Sequence, residues 1–553
     1  MKILKQLSFI VLGTLLLSSC NDLLDVDSNQ YATGDEHRLA SPNDSVYSIF
    51  GVLSKLQEVG GNYFVLGELQ GDLADVTVSS DRYLREINAH EPLSKDNPYA
   101  DITPYYSVIN NCNYIIARMD TVIKNSALLP DYAAAVKIRA WTYFQLAKNY
   151  SSVRYYTKPV LDVESAAGLS KQPLLSLEQV IDELIPQVEA VVGIREPAYT
   201  RGDRTIPSAE FLLGDLYLWK GEGYYEKAAT YYKKMMEKDN FYICNRTFAN
   251  TYVDGGVSTS WFAIFMPGYI GYSNSYEVTN GIIYHSSKGY SNPVAKMCIT
   301  DVSVRASSLA IDNWYAQKNN NPHSPEAVSL LGDIRWYGSV GTAYYSSNVI
   351  PTPGQIETPV IDKYWTDTIY GGRIILERAA TFTLRYAEAI NRLGKPTMAL
   401  AALNYGLKPA TIADPNIVNS SEAADGSYIV DFNHTSYANN LGVRGRAGLM
   451  PYTFPSNLAS LQDSILFVED VILEEAALET AFEGNRYSDL VRVALRRIKE
   501  DEANNRDFLA DMIAKKFISN PKSYFPSEPS ANAETVRNRL RDKANFFIPF
   551  PEK

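Results

Sequence analysis

Cysteine, histidine and carboxylate could all do chemistry in this chain, but only one cysteine stands in a spacing that assigns it a reaction. Cys20 closes Leu17-Ser18-Ser19-Cys20, after an apolar run from Leu7 to Leu17 that follows Lys2 and Lys5. A basic start, about eleven apolar residues and a small-residue junction make an export signal, too short to span a bilayer of roughly 30 Å as a permanent helix. A cysteine at that junction can carry a diacylglyceryl group on its thiol and a further acyl chain such as palmitate on the amine freed by cleavage. Several acyl chains, at about 0.8 kcal/mol per buried CH₂, hold where one would be marginal. The competing reading is an ordinary cleaved signal with a chance cysteine.

The other reactive residues stand without a pattern. Cys112, Cys244 and Cys298 are odd in number and far apart, so no disulfide framework or zinc site follows. His37, His90, His285, His323 and His434 lack the spacing that puts two ligands on one helix face, and neither metal nor cofactor is expected. A lipid-anchored glycoside hydrolase would need two carboxyls about 5 to 9.5 Å apart across a cleft. No motif places such a pair, so the expectation is a protein that is not an enzyme.

Charge narrows the partners. The chain carries −11, and loss of Lys2 and Lys5 with the signal brings the mature form to about −13. Lysine and arginine are interleaved with acids and form no basic stripe, which argues against nucleic acid. Polyanionic sugars are disfavoured more weakly, because a local basic pocket could override the net field. After the signal, the most apolar segment, Ile465 to Phe482, contains Glu469, Asp470, Glu474, Glu475 and Glu479 and reads as an amphipathic helix rather than a membrane span.

The elements that must position any site are mainly helical. A helix is predicted from about Pro42 to Val59, followed by a polar segment from Gly60 to Pro104. From Tyr105 the residues Ile109, Ile115, Ile116 and Met119 recur at helical spacing. Asp131 to Tyr150 reads as a helix with Ala134, Ile138, Trp141, Phe144 and Leu146 inward and Lys137, Arg139 and Lys148 outward. A helical pair spans Pro207 to Asp239, with Pro207 in the first turn and a break at Gly221 and Gly223. In that pair Leu213-Gly214-x-x-Tyr217 precedes Ala228 and Tyr232. Ala387 and Ala399 lie twelve apart around Gly394, and Ala140 and Tyr143 give a third instance. These small and aromatic positions are packing devices of tetratricopeptide-like repeats. Residues 247–381 change character: glycine, serine, asparagine, proline and aromatics dominate, which predicts an ordered, loop-rich insertion with short strands.

Phe467 to Arg492 reads FVEDVILEEAALETAFEGNRYSDLVR and resembles the "iL.ER..ELafEG.R..DL.R" segment of the SusD/RagB family of outer-membrane nutrient-binding lipoproteins, and four further segments agree with it. Arg385 to Gly394 resembles its "yAEAlnrlG" helix, and Arg444 to Leu449 its "R.RAGl" turn. Tyr106, Ile109, Asn110, Cys112 and Asn113 resemble its N-terminal "Y..In.cN" helix, and Phe547-Ile548-Pro549 its closing strand. Where the family usually has a basic residue, this chain has Ala476 and Ala477, which puts one local ion pair in doubt. Within the signature, Gly484 suits a left-handed helix end, and Glu483, Arg486, Asp489 and Arg492 are expected to brace the next helix. Glu388 and Arg392, at i and i+4, read as an ordinary helix-face pair.

The resemblance implies a mainly α, tetratricopeptide-like scaffold of four repeats with an irregular, loop-rich ligand-binding face. It divides the chain into a signal peptide at 1–19, an N-terminal region at 20–246 and a C-terminal region at 247–553. It further implies a lipid-anchored outer-membrane protein facing the cell exterior, with Asp22, Asp25 and Asp27 compatible with surface export. Its expected partner is a SusC-like TonB-dependent β-barrel transporter, over which it would sit as a lid. The implied ligand is an oligosaccharide; an oligopeptide and a purely protein-binding scaffold are the alternatives.

Thirty-nine tyrosines make aromatic stacking the natural way to hold a sugar face or a peptide side chain. Two loop regions supply the candidate contacts: Asp81, Arg82, Tyr83, Asn97 and Tyr99 early, and Trp261, Tyr269, Tyr272, Trp314, Trp336 and Tyr337 late. By the resemblance, both regions flank the binding face.

Overall fold

Helices set by apolar residues three and four apart form most of the structure, a computed structural model. It describes residues 42–119, 127–200, 204–238, 251–253, 256–258, 261–265, 277–285, 289–318, 332–336, 338–341, 359–364 and 372–551. The signal segment, Cys20 and the boundary at 246/247 lie outside them. Among the described residues no helix is long and apolar enough to cross a membrane.

The helical elements are α1 (Pro42–Phe64), α2 (Arg82–Asn88), α3 (Thr103–Met119), α4 (Leu129–Asn149), α5 (Leu177–Glu189), α6 (Ala209–Lys220), α7 (Tyr225–Glu237), α8 (Ser308–Tyr315), α9 (Ala379–Arg392), α10 (Pro396–Asn404), α11 (Leu461–Glu479) and α12 (Arg486–Glu500). The pairs α3/α4, α6/α7 and α9/α10 pack as antiparallel hairpins, and α7 and α11 both lie against α9. The small positions read from sequence do what repeats require: a Cβ built on Gly214 would overlap the Tyr232 ring, so only glycine lets α6 and α7 approach that closely. One large apolar cluster draws on buried residues from Ile49 to Phe525, and the apolar face of α12 forms a second with Leu509, Leu540 and Phe546.

The strands are short. A four-stranded sheet runs in the order β1 (Ala74–Val76), β3 (Val304–Ala306), β5 (Val360–Ile361), β4 (Val340–Gly341), while β2 (Val278–Ile283) pairs antiparallel with β6 (Arg373–Arg378). The loop-rich stretch expected over 247–381 therefore does carry short strands. The closing Phe547-Ile548-Pro549 is reduced to a single parallel bridge between Ile548 and Tyr150.

Several local expectations change. α1 does not stop at Val59; it runs through Gly60 and Gly61 to Phe64 and continues as a wider turn over Val65–Leu69. Pro207 precedes the N-cap Ser208 and so stands outside the first turn of α6. The outward residues of α4 are buried too: Lys137, Arg139 and Lys148 are each 5% exposed or less. Arg139 donates to Asn113 Oδ1 and Gln187 Oε1, both at 2.7 Å, and burial pushes the Lys148 amine down to about 8.

The largest departure is α11, whose acids face inward. Glu469, Glu475 and Glu479 are at most 1% exposed; Glu469 pairs with Arg392, Arg496 and Arg497, and the other two belong to a buried network of five acids and five bases. Arg378 donates to Glu277 (2.7 Å), Glu479 (2.6 Å) and Glu483 (2.8 Å). Arg446 reaches Glu277 (2.6 Å) and Glu479 (2.5 Å), and Arg335 reaches Asp333 (2.6 Å), Glu475 (2.8 Å) and Glu479 (2.6 Å). Lys363 pairs with Glu483 at 2.8 Å, and Arg444 pairs with Glu475 at 3.1 Å. The alanines at 476 and 477 thus leave no gap, since Glu475 is engaged from other elements.

The signature residues likewise reach further than the next helix. Arg486 clamps Asp72 at 2.6 Å, and Arg492 joins Asp489 and Glu388, each at 2.6 Å. Glu388 pairs with Arg492 and Arg496, whereas Arg392 turns to Glu469 and Glu500, so the expected i, i+4 pair does not form. Gly484 has φ +80°, and the turn it makes is held by Glu68, which accepts backbone N–H groups of Phe482 (3.0 Å), Gly484 (2.6 Å) and Asn485 (3.1 Å). Burial nevertheless raises the Glu68 carboxyl to about 7.

Candidate functional site

The early and late segments meet because β1 and β3 pair antiparallel, with Asp75 opposite Arg305. Two side chains extend the seam: Thr77 Oγ1 donates to the carbonyl of Val302 and Ser80 Oγ to that of Ser303, both at 2.5 Å. α1 lies against this seam. A Cβ on Gly60 would overlap the Tyr284 hydroxyl, so glycine there lets Tyr284 settle on the helix, while one on Gly61 would make ordinary contact with Pro293 at 3.5 Å.

Between these elements opens a cleft of about 840 Å³, lined by Asp81, Tyr99, Tyr284, Tyr290, Lys296 and Asp301, with Gln57 and Asn62 from α1. Asp81 caps α2, its Oδ1 accepting the Leu84 N–H at 2.8 Å, which leaves the other oxygen toward the Tyr99 hydroxyl at 3.4 Å. Burial, then the charges of Asp81 and Asp301, push the Tyr99 phenol up to about 12, so it stays a hydrogen-bond donor. Lys296 pairs with Asp301 at 2.6 Å. Tyr284 is buried and donates to the Gln57 carbonyl at 2.7 Å, while Tyr290 is 48% exposed. A neighbouring pocket of about 290 Å³, with Phe50, Tyr199 and His285, shares Ser54, Gln57 and Tyr290 with the cleft.

Of the residues singled out by sequence, Asp81 and Tyr99 line this cleft. Asn97 is buried beside it and braces the wall, donating to the Tyr83 carbonyl (3.2 Å) and Glu86 (3.1 Å) and capping the turn Pro98–Ala100. Arg82 and Tyr83 both bond Asp96, at 2.8 and 2.5 Å, in an exposed cluster that does not line the cleft.

Trp261, Trp314 and Trp336 are core residues, at most 4% exposed, and are corrected from rim to interior. Trp314 Nε1 donates to the Leu478 carbonyl (3.1 Å) and Trp261 Nε1 to Ser339 Oγ (2.9 Å). Tyr269, Tyr272 and Tyr337 lie outside the described residues. Sequence reasoning missed Tyr290, Lys296 and Asp301; the signal available was Gly60-Gly61, a pair inside a helical period that asks for a close neighbour. A second cleft of about 510 Å³ at Trp219 contains none of the predicted residues, and its Lys220, Arg496 and Glu500 are engaged by Asp182, Glu388 and Arg392. Among the described residues no group of three histidine, cysteine or acidic side chains could hold a metal.

No family model matches this chain. It is 23% identical over 533 residues to SusD-like protein P38 of Formosa agariphila, covering 88% of this chain and 91% of that protein. A SusD superfamily protein from Bacteroides vulgatus superposes with a TM-score of 0.57 at 15% identity, covering 89% of this chain and 98% of that one. A SusD-like carbohydrate binding protein, also from B. vulgatus, gives a TM-score of 0.55 at 17% identity, with 82% and 83% covered. The helical scaffold agrees with these matches, and the chain shares the fold of these SusD superfamily structures.

Proposed function

We propose that this chain is a cell-surface lipoprotein, anchored through Cys20 in the outer membrane, that binds oligosaccharides or polysaccharide fragments and delivers them to a SusC-like TonB-dependent transporter. The observation that carries the binding half is the cleft: two distant segments line it with Tyr99 and Tyr290 together with Asp81 and the amide oxygens of Asn62 and Gln57, whose amide nitrogens are taken by the carbonyls of Asp101 and Ile283. Ring faces stack on the apolar faces of sugars while such polar groups bond hydroxyls. The adjoining pocket behind Tyr290 lengthens the surface, which suits an oligomer better than a single sugar. The resemblance supplies the anchor and the transporter, and the carbohydrate-binding name of a structural neighbour points to the same ligand class.

Calorimetry of the full chain against a glycan panel and a peptide mixture tests the reading. At least one glycan is expected to bind, and Tyr290→Ala to weaken it tenfold or more. Binding of peptides alone would replace the reading with oligopeptide capture, and silence in both would leave a protein-binding scaffold. Copurification of a barrel-sized membrane protein in mild detergent is expected for the transporter partnership.

A further inference from the structure

We propose that the cleft selects by charge: it accepts neutral saccharides and rejects those bearing carboxylate or sulfate, with Asp81 as the hydroxyl acceptor and the charge of Lys296 offset by Asp301. This inference rests on the glycan-binding reading and names the class of glycan. Stacking on Tyr99 and Tyr290 cannot make the distinction, because neutral and acidic sugars present similar apolar faces. The charged groups have to make it.

Recognising an anionic sugar takes an ammonium or guanidinium free to bond it. Among the described residues the cleft and its margin hold four candidates, and each is offset or engaged: Lys55 lies 2.9 Å from Glu58. Lys296, the one cation lining the cleft, is 2.6 Å from Asp301. Arg82 is drawn 2.8 Å to Asp96, outside the cleft. Arg85 is committed to the carbonyls of Thr77 (2.6 Å), Ser80 (3.3 Å) and Val78 (3.3 Å).

The acids are balanced differently. Glu58 pairs with Lys55 at 2.9 Å and Asp301 with Lys296, but no ion pair engages Asp81 among the described residues. One Asp81 oxygen serves the cap, and the other has only the Tyr99 hydroxyl at 3.4 Å, too long to satisfy it. That oxygen can take a sugar O–H in a short charge-assisted bond. The same oxygen repels an anion: at about 5 Å, an anionic substituent loses roughly fivefold or more in affinity.

The test compares neutral hexose oligomers with hexuronate and sulfated oligomers of equal length by calorimetry, using the full chain and two variants. Asp81→Asn keeps the helix cap, since asparagine caps about as well as aspartate, and removes the charge. Asp301→Asn releases Lys296. Wild-type protein is expected to bind a neutral oligomer at least fivefold more tightly than its anionic counterparts. Asp81→Asn should weaken the neutral oligomer several-fold and narrow that gap, and Asp301→Asn should raise anionic affinity about fivefold, with unchanged melting curves. Preference of the wild type for hexuronate or sulfate overturns the inference and leaves glycan binding standing. A neutral-to-anionic ratio that neither variant moves also overturns it. Failure of every saccharide to bind overturns the glycan reading and this inference together.

Discussion

The buried network around α11 and the open cleft beside α1 are made of the same residue types, carboxylates, cations and aromatic rings, yet they do opposite work. In the network every charge is dry and met by at least one opposite charge within 3.1 Å. Desolvating an ion costs several kcal/mol, so such groups survive only in mutual compensation and serve to fix how α11 fits against Glu277, Asp333, Arg335, Lys363 and Arg378. In the cleft the charges are wet, their pairs are weak, and one carboxylate is left with bonding capacity. What separates structure from recognition here is solvent exposure and unspent valence, both set by tertiary packing.

Removing a base from the network is the strongest way to test that contrast. Arg378→Met would leave Glu277, Glu479 and Glu483 short of compensation, and a loss of about 3 to 5 kcal/mol in denaturant unfolding is expected. An unfolding midpoint equal to wild type would show that the network is a passenger.

Acid should strike the buried pairs next. Burial alone would raise the Glu388 carboxyl, but Arg492 and Arg496 outweigh it and hold it at about 2, against 4.5 for the free group. The unfolded chain therefore binds the proton first as pH falls from 4.5 to 2, and roughly 3 kcal/mol of stability is lost across that window. Glu68, raised to about 7, works the other way and costs stability as pH rises from 4.5 to 7. Unfolding curves of Glu388→Gln are expected to be lower at neutral pH and flatter below pH 4.5 than those of wild type; parallel curves would refute the assignment.

Gly60→Ala joins the two regions. The added methyl would overlap the Tyr284 hydroxyl and the Ile374 side chain, and forcing an extra group into a packed site costs about 1 to 3 kcal/mol. Because Tyr284 lines the cleft, glycan affinity should drop along with the melting temperature. A variant that loses stability and keeps full affinity would detach the cleft from the α1 wall.

How much of this was legible beforehand follows the same division. Periodicity and small residues gave the hairpins, as Gly214 against Tyr232 shows, because helix packing repeats locally along the chain. Asp81 and Tyr99 were legible as polar and aromatic residues in an irregular segment. The burial of Glu469, Glu475 and Glu479 was not, because the arginines that neutralise them, at 335, 378, 392, 444, 446, 496 and 497, come from elsewhere in the chain, and an isolated helix pattern reads such acids as a wet face. The tryptophans misled for the converse reason: a loop-rich segment was taken for surface, whereas its largest rings are what anchor it. Beyond the hint in Gly60-Gly61, Tyr290, Lys296 and Asp301 are placed by the β1/β3 pairing, a contact between residues more than two hundred positions apart.

The smallest effect is expected at Arg82, and it bounds the site. Its guanidinium lies 4.5 Å over the Tyr83 ring and pairs with Asp96, all near the cleft in sequence and all facing solvent. Exposed pairs of this kind are screened by salt and contribute little. Arg82→Ala should therefore leave both the melting curve and glycan affinity at wild-type values, in contrast to Tyr290→Ala. A tenfold loss of affinity in Arg82→Ala would move the edge of the binding face outward across α2 and enlarge the surface a ligand must cover.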